Sequence, residues 1–120
     1  MPDGRQGREL IICVLNETDY LHEVLMGFVE AGVTTSTVIE SQGMGRILSE
    51  DVPIFAGFRH LFAGSKPFNN TIFAVVDNHR VTERVIQLVR DVLADVDSQA
   101  KGVIFSVPVL DFASLSLDRK

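Results

Sequence analysis

The sequence predicts an α+β fold in which two strand–helix–strand units share one four-stranded antiparallel sheet. Apolar runs that suit buried strands alternate with stretches of helical spacing, and the order strand, helix, strand occurs twice along the chain. A middle segment, residues 41–70, fits neither unit. Two right-handed crossovers of this size place both helices on one face of the sheet, which is the ferredoxin-like arrangement.

The first unit begins with Leu10–Leu15, which is apolar at every position and is therefore typical of a strand covered on both faces. A helix should follow, with Thr18 or Asp19 as its N-cap and Gly32 just past its end. Val33–Glu40 is rich in threonine and valine and predicts the second strand. The apolar positions of the helix are Leu21, Val24, Leu25, Phe28 and Val29.

The second unit repeats this pattern after the middle segment. Thr71–Asp77 predicts the third strand and Gly102–Leu110 the fourth. Pro108 cannot donate a hydrogen bond to a neighbouring strand, so we expect it at an edge or near the end of the fourth strand. The helix between these strands has the apolar stripe Val81, Val85, Leu88, Val89, Val92 and Leu93.

One face of the predicted sheet carries no helix. Because the first and last strands are apolar on both sides, we expect this face to pack against copies of itself in an oligomer. The expected boundaries are a flexible leader at 1–8, one domain at 9–115 with an insertion at 47–70, and a tail at 116–120.

Composition narrows the class of protein. The chain has 120 residues and a net charge of −5, without the basic stripe that nucleic-acid binding needs. A single cysteine, Cys13, excludes an intrachain disulfide, and the polar start lacks the apolar core of a signal peptide. No apolar run approaches the length of a membrane span. We therefore expect a soluble, cytoplasmic protein.

The middle segment contains four of the eight phenylalanines of the chain, so its composition is not that of a solvated loop. Asp51 and Pro53 are typical of a helix start and Gly64 of a helix stop. Apolar residues between them have helical spacing, which predicts a short amphipathic helix that either packs on the protein body or docks a partner. The expected partner-binding residues are Phe55, Phe58, Arg59, His60 and Phe62.

The motif Gly43-Met44-Gly45-Arg46 follows the predicted second strand. Glycines on both sides of one residue let backbone N–H groups approach an anion, and the arginine adds charge and a planar fork of donors. The motif therefore points to a phosphate-bearing ligand. The alternative is a tight turn at a strand end with a solvated arginine.

Catalytic and metal sites are not indicated by the sequence. His22, His60 and His79 are scattered, and Cys13 within an apolar strand is expected to be an inert core thiol. These residues have no ligand spacing for a metal. An N-terminal Pro2 could serve as a catalytic base in a tautomerase, but the polar leader would hold it away from any pocket.

The chain resembles the PII nitrogen-regulatory signal transducers. From Glu9 to Arg46 the resemblance has no gaps, with Glu30-Ala31-Gly32-Val33-Thr34 ending the first helix and Gly43-Met44-Gly45-Arg46 ending the second strand. It resumes at Thr71 through the second helix and again at Lys101–Val107. The resemblance implies a homotrimer with a nucleotide in each cleft between neighbours and a long loop that reaches into a target protein. It implies control of that target and no catalysis.

The resemblance also implies a ligand set. Thr37 matches a position that touches the adenine, Gly43, Gly45 and Arg46 match the segment that lines the phosphates, and Lys101 matches a phosphate lysine. Met44 and Gly102 complete the expected set as their neighbours. The implied cofactor is an adenine nucleotide.

The chain departs from the PII pattern at three places. Ile47 replaces a glutamine that helps the family to hold magnesium, ATP and 2-oxoglutarate, and Pro108–Ser114 lacks the two arginines that grip phosphates. The middle segment has no tyrosine to modify. We therefore expect a less charged mononucleotide, another anion, or no ligand. The alternatives are a trimeric scaffold and a metal-binding trimer like the CutA group, which shares this fold.

Overall fold

A computed structural model describes residues 7–51 and 68–116. A 3-10 turn at Thr18–Tyr20 precedes the first helix. The strands and helices, numbered in chain order, are β1 Glu9–Leu15, α1 Leu21–Glu30, β2 Thr37–Ser41, α2 Met44–Asp51, β3 Asn69–Val76, α3 His79–Val92 and β4 Gly102–Pro108.

The four strands form one antiparallel sheet in the order β2-β3-β1-β4. In the centre of this sheet, Cys13 of β1 lies opposite Ile72 of β3 and Ile104 of β4. Helices α1 and α3 pack against each other over one face, so the predicted ferredoxin-like α+β fold is confirmed. Strands β2 and β4 are the two edges of the sheet.

The core lies between the sheet and the two helices. Ile11, Cys13 and Leu15 of β1 point into it and are at most 3 % exposed. Gly27 of α1 faces Leu88 of α3, and a Cβ there would lie 3.5 Å from the Leu88 Cβ, so the small residue permits close helix packing. The other main core residues are Val24, Phe28, Ile72, Ala74, Val76, Val85 and Val89.

The opposite face of the sheet, here called the outer face, carries no helix among the described residues. Side chains alternate between the two faces of a strand, so the residues between the core positions point outward. Among the described residues, helices cover β1 on one face, and the cover of its second face by copies of the chain stays a prediction. The apolar residues of the outer face are Leu10, Ile12, Val14, Ile39, Phe73, Val75, Val103, Phe105 and Val107.

The end of α1 explains why β2 starts later than predicted. Gly32 adopts a φ of 97°, as expected for a residue just past a helix, and the Val33 N–H donates to the Phe28 carbonyl at 2.9 Å. Val33 is 7 % exposed, so its side chain seals the end of the helix instead of opening a strand. Strand β2 begins only at Thr37.

The start of α1 also differs from the prediction. Thr18 and Asp19 belong to the 3-10 turn, which runs directly into the helix, and neither is its N-cap. The N-cap is Tyr20, whose side chain makes no capping hydrogen bond. The 3-10 turn leads into α1 without a break, so α1 starts without the side-chain cap that the sequence predicted.

The middle segment starts with a helix that the sequence did not predict. Helix α2 begins at Met44, so Asp51 lies within a helix instead of opening one. The predicted helix over Ile54–Phe62 lies outside the described residues. No helix in the described ranges is long and apolar enough to cross a membrane.

Candidate anion-binding site at one end of the sheet

All of the predicted ligand residues except Thr37 lie at one end of the sheet, here called the Gly43 end. Strands β1 and β2 finish there, and β3 and β4 begin there, because Leu15 lies opposite both Asn70 and Gly102 while Ser41 lies opposite Asn69. The glycine-arginine motif follows β2 at this end, and Lys101 immediately precedes β4.

A chain of hydrogen bonds crosses the Gly43 end from β2 to the residues before β4. The Ser41 hydroxyl contacts the Asn69 carboxamide oxygen and lies 2.8 Å from the Thr71 hydroxyl. Asn69 Nδ2 donates to Asn16 Oδ1 at 3.2 Å. Asn16 continues the chain, donating from Nδ2 to the Ala100 carbonyl at 3.1 Å and from its backbone N–H to the Lys101 carbonyl at 2.9 Å. These hydrogen bonds were not predicted from the sequence, although Asn16 directly follows the predicted first strand and Asn69 lies two residues before the predicted third strand.

The glycine-arginine motif enters a helix instead of forming a tight turn. Gly43 precedes α2, and its carbonyl accepts the Ile47 N–H at 3.3 Å. Positive φ angles occur at other described glycines, Gly7, Gly32 and Gly102, so Gly43 does not supply a left-handed turn. The N–H groups in the first turn of a helix have no partner within that helix, so the motif still presents backbone donors to an anion.

Met44, Gly45 and Arg46 all lie in the first turn of α2. Met44 is 70 % exposed. The side-chain position of Arg46 lies outside the described part of the chain, as do the expected partner-binding residues Phe55, Phe58, Arg59, His60 and Phe62. Their roles stay predictions.

Lys101 stabilises the end of α3 in this chain. Its Nζ donates to the Leu93 carbonyl at 2.8 Å, where a cation also interacts favourably with the helix dipole. Gly102 has a φ of 139°, and a Cβ at this position would lie 2.1 Å from the Val14 carbonyl oxygen. The backbone geometry of β4 therefore explains Gly102 without a ligand.

A cavity of about 360 Å³ opens beside Lys101, between α3 and β4. Apolar residues of β1, α3 and β4 form its walls, among them Leu15, Leu93 and Ile104. Arg90 of α3 also lines it, so two cationic residues border an apolar space.

Thr37 lies at the other end of β2, away from the Gly43 end. It lines an open groove of about 330 Å³ with Phe73 and with Phe112 from the segment after β4. The Arg8 guanidinium lies 4.4 Å from the centre of the Phe112 ring, and its Nε lies 3.7 Å from Asp77 Oδ1. Arg8 thus supplies positive charge next to a segment, 108–114, that has no basic residue of its own.

Among the described residues, Glu9 and Cys13 have perturbed pKa values. Burial alone would raise the pKa of Glu9. The nearby Thr82 hydroxyl and His79 outweigh burial, so the pKa of Glu9 lies below its ordinary value. His79 Nδ1 lies 2.9 Å from Glu9 Oε2. Burial raises the pKa of the Cys13 thiol to about 11, and the predicted core position of this cysteine is confirmed. In the ranges 7–51 and 68–116 no group of three or more metal-ligating side chains comes together.

Of the comparisons with known proteins, the one with solved structures bears on the fold. No family model matches the sequence, and no curated protein matches it. Among solved structures, the protein is similar to Arabidopsis thaliana PII bound to citrate, with a TM-score of 0.64 over 92 % of this chain and 84 % of that chain. Sequence identity is 16 %, so this likeness establishes a PII-like fold and does not extend to ligand or partner.

Proposed function

We propose that this protein is a PII-like regulator, of nitrogen-metabolism type, that controls an enzyme or a transporter. It binds an anionic small molecule, such as a nucleotide, in clefts between the subunits of a homotrimer. Ligand binding biases how the phenylalanine-rich segment that follows Arg46 is presented to a target protein. The protein itself catalyses no reaction.

The observation that carries this proposal is the position of the two predicted ligand groups. Gly43 follows β2 and Lys101 precedes β4, at the same end of the sheet but at opposite edges. Three strand spacings separate these edges, or about 14 Å, whereas a hydrogen bond to a phosphate oxygen spans about 3 Å. With Lys101 bonded to the Leu93 carbonyl, one chain holds the two groups apart, and we propose that the β2 edge of one copy and the β4 edge of its neighbour enclose the anion together.

The outer face supports the association that such clefts require. Val103, Phe105 and Val75 are 56, 43 and 41 % exposed, and they belong to a continuous apolar surface of three strands. An exposed apolar surface of this extent marks an interaction site in a soluble protein. Symmetric association of copies through this face would bury it, and we propose a trimer.

The chemistry of the two edges suits an anion. The first turn of α2 offers backbone N–H groups, and Arg46 in that turn adds a planar fork of donors. An ammonium group has three protons, so Lys101 retains two donors beyond its bond to Leu93. An anion in the cleft would therefore contact donors from both subunits.

The ligand that we propose carries fewer negative charges than ATP and needs no magnesium. Ile47 provides no oxygen to hold a metal, and residues 108–114 provide no arginine. Citrate, a small polycarboxylate, is the molecule bound in the similar PII structure, and a mononucleotide or a polycarboxylate fits the donors of this chain. The Phe112 ring beside Thr37 offers a face on which a planar base could stack.

A thermal-shift titration with AMP, ADP, ATP and citrate tests ligand binding. At least one of them should raise the melting temperature in proportion to the logarithm of its concentration, because binding at a hundredfold excess over Kd stabilises by about 2.7 kcal/mol. Arg46→Ala should remove the shift. Arg84→Ala, at an exposed arginine of α3 that lies 3.7 Å from Glu30, should retain it. Absence of any shift in the unmodified protein would contradict the proposal.

Hydrogen exchange tests the coupling to the middle segment. The bound ligand should change the exchange rates of residues 52–64, since Arg46 lies only a few positions before them. Arg46→Ala should abolish this ligand effect. Ligand binding that leaves the exchange of this segment unchanged would show that the site does not control it.

The alternative is a trimeric scaffold that senses no nucleotide. The bond between Lys101 and the Leu93 carbonyl favours it, because this bond gives the lysine a structural role. A scaffold predicts the same trimer without any ligand-dependent shift. A metal-binding trimer like the CutA group draws no support from the described residues, since they contain no cluster of metal ligands.

A further inference from the structure

We propose that the cavity between α3 and β4 is a separate binding site for a small amphiphilic anion, such as a medium-chain fatty acid. The ligand would place its apolar tail between Leu15, Leu93 and Ile104 and its carboxylate at Arg90 and Lys101. This site lies within one subunit and goes beyond the nucleotide-type clefts proposed above. It shares only Lys101 and Gly102 with their ligand set.

The walls of the cavity are suited to an apolar tail. Cys13 and Val89 are each 3 % exposed, and Leu15 is fully buried, so the floor of the cavity belongs to the core. The raised pKa of Cys13 keeps the thiol uncharged at neutral pH. Removing a hydrocarbon tail from water against this floor is favourable in proportion to the area that it buries.

The cavity remains open because β4 is an edge strand. Helix α3 packs over β1 and β3, and Ile104, the β4 residue opposite Cys13, is left half-buried at the rim. Gly102 also lines the cavity, and since its backbone lies close to the Val14 carbonyl, this position has no room for a side chain that could fill the cavity. The volume of about 360 Å³ lies near the lower limit for ligand pockets, which selects a small molecule.

The charges at the rim specify an anion. Acidic residues outnumber basic ones in this chain by 16 to 11, yet the described residues that line the cavity include Arg90 and Lys101 and no carboxylate. The bond from Lys101 to the Leu93 carbonyl holds the ammonium at the rim and leaves two of its protons for a ligand. A carboxylate there would make charge-assisted hydrogen bonds while its tail stays in the apolar space.

Methyl NMR with octanoate tests this site in the full-length protein. Octanoate, kept below its micelle concentration, should shift the methyl signals of Leu15, Val89, Leu93 and Ile104. It should bind about tenfold more tightly than either acetate, which lacks the tail, or octanol, which lacks the charge, because each of these makes only one of the two contacts. Shifts confined to outer-face methyls away from the cavity, such as those of Leu10, Ile12 and Val75, would overturn the proposal, as would the absence of shifts.

Four variants test this site and separate it from the nucleotide-type clefts. Arg90→Ala, at an exposed residue of α3, should weaken octanoate binding about tenfold, whereas Arg84→Ala on the same helix should leave it within about twofold. Ile104→Phe should fill the cavity and abolish octanoate binding, with folding checked by circular dichroism. Arg46→Ala should leave octanoate binding intact. Octanoate binding that survives Arg90→Ala unchanged would overturn the assignment, even if a nucleotide binds in the clefts.

Discussion

At the scale of single residues, Gly102 shows how backbone geometry accounts for a position that was expected to bind a ligand. Its positive φ and its approach to Val14 are sufficient reasons for a glycine at the start of β4. Gly32 also has a positive φ, but a Cβ there would meet nothing within 4 Å. A side chain at position 32 would therefore meet backbone strain alone, whereas one at position 102 would meet both backbone strain and a steric conflict.

We predict that Gly102→Ala lowers the free energy of unfolding by more than about 2 kcal/mol, because strain and conflict add. Gly32→Ala should cost only about 1–2 kcal/mol, which is the cost of a left-handed conformation for a residue with a Cβ. Urea denaturation at one fixed protein concentration measures both values. Equal losses at the two positions would contradict the steric account of Gly102.

Glu9 makes stability depend on pH. Its pKa is lower in the folded protein than in the unfolded chain, so the folded state holds the charged form more strongly. The resulting stabilisation is complete above the unfolded pKa, near 4.3, and is lost as the pH falls through the lower folded pKa. The stability difference between the unmodified protein and Glu9→Gln should therefore shrink on acidification below about pH 4.3.

Denaturant unfolding between neutral pH and acid checks this prediction. Glu23→Gln, at an exposed glutamate of α1, serves as the control substitution of the same type. A Glu9→Gln difference that stays constant across this pH range would show that Glu9 is not held in its charged form by the fold.

At the scale of elements, the hydrogen bonds at the Gly43 end connect the root of α2 to the residues before β4. Asn69 is the central link, since it is 8 % exposed and joins Ser41 on one side to Asn16 on the other. Loss of its carboxamide would remove its hydrogen bonds to the half-buried Ser41 and Asn16, each of which keeps another partner. The two edges that carry the predicted ligand groups are thus joined through one side chain.

We predict that Asn69→Ala lowers the free energy of unfolding by about 1–3 kcal/mol. It should also speed hydrogen exchange at both ends of the chain of hydrogen bonds, near Gly43 and near Asn16. Asn70→Ala, the neighbouring substitution of the same type, is the control and should affect neither end. Faster exchange at one end only would show that Asn69 does not couple the two edges.

The sequence predicted the elements well wherever one periodicity dominated. The apolar stripes of α1 and α3 and the strands around Cys13 were correct because burial against the sheet determines them. It failed at Val33, where an apolar residue closes a helix, and at Met44, where a motif that resembles a turn starts α2. In both cases contacts at the end of an element decide the structure, and periodicity does not report such contacts.

The candidate site was predictable in part. The sequence identified the glycine-arginine motif and Lys101, and the register of the sheet places both at one end. It could not show that they lie at opposite edges, since strand order depends on tertiary pairing. Nor could it show that Lys101 bonds to the Leu93 carbonyl.

At the scale of the whole molecule, the exposed outer face is the surface through which we propose that copies of the protein associate. We predict that Val103→Asp weakens self-association, because a charge would be buried within the apolar surface that copies share. Leu115→Asp is the matched control, since Leu115 is 98 % exposed and lies beyond β4. Sedimentation measures the self-association of each variant. Equal self-association of the two would show that copies do not meet through the outer face.

The mass of the full chain in solution tests the central claim most directly, because the proposed clefts exist only between copies. Sedimentation equilibrium at micromolar concentration should give three times the 13.2 kDa of one chain. A mass of 13.2 kDa under these conditions would contradict the account, since Gly43 and Lys101 would then have no neighbouring subunit with which to enclose a ligand.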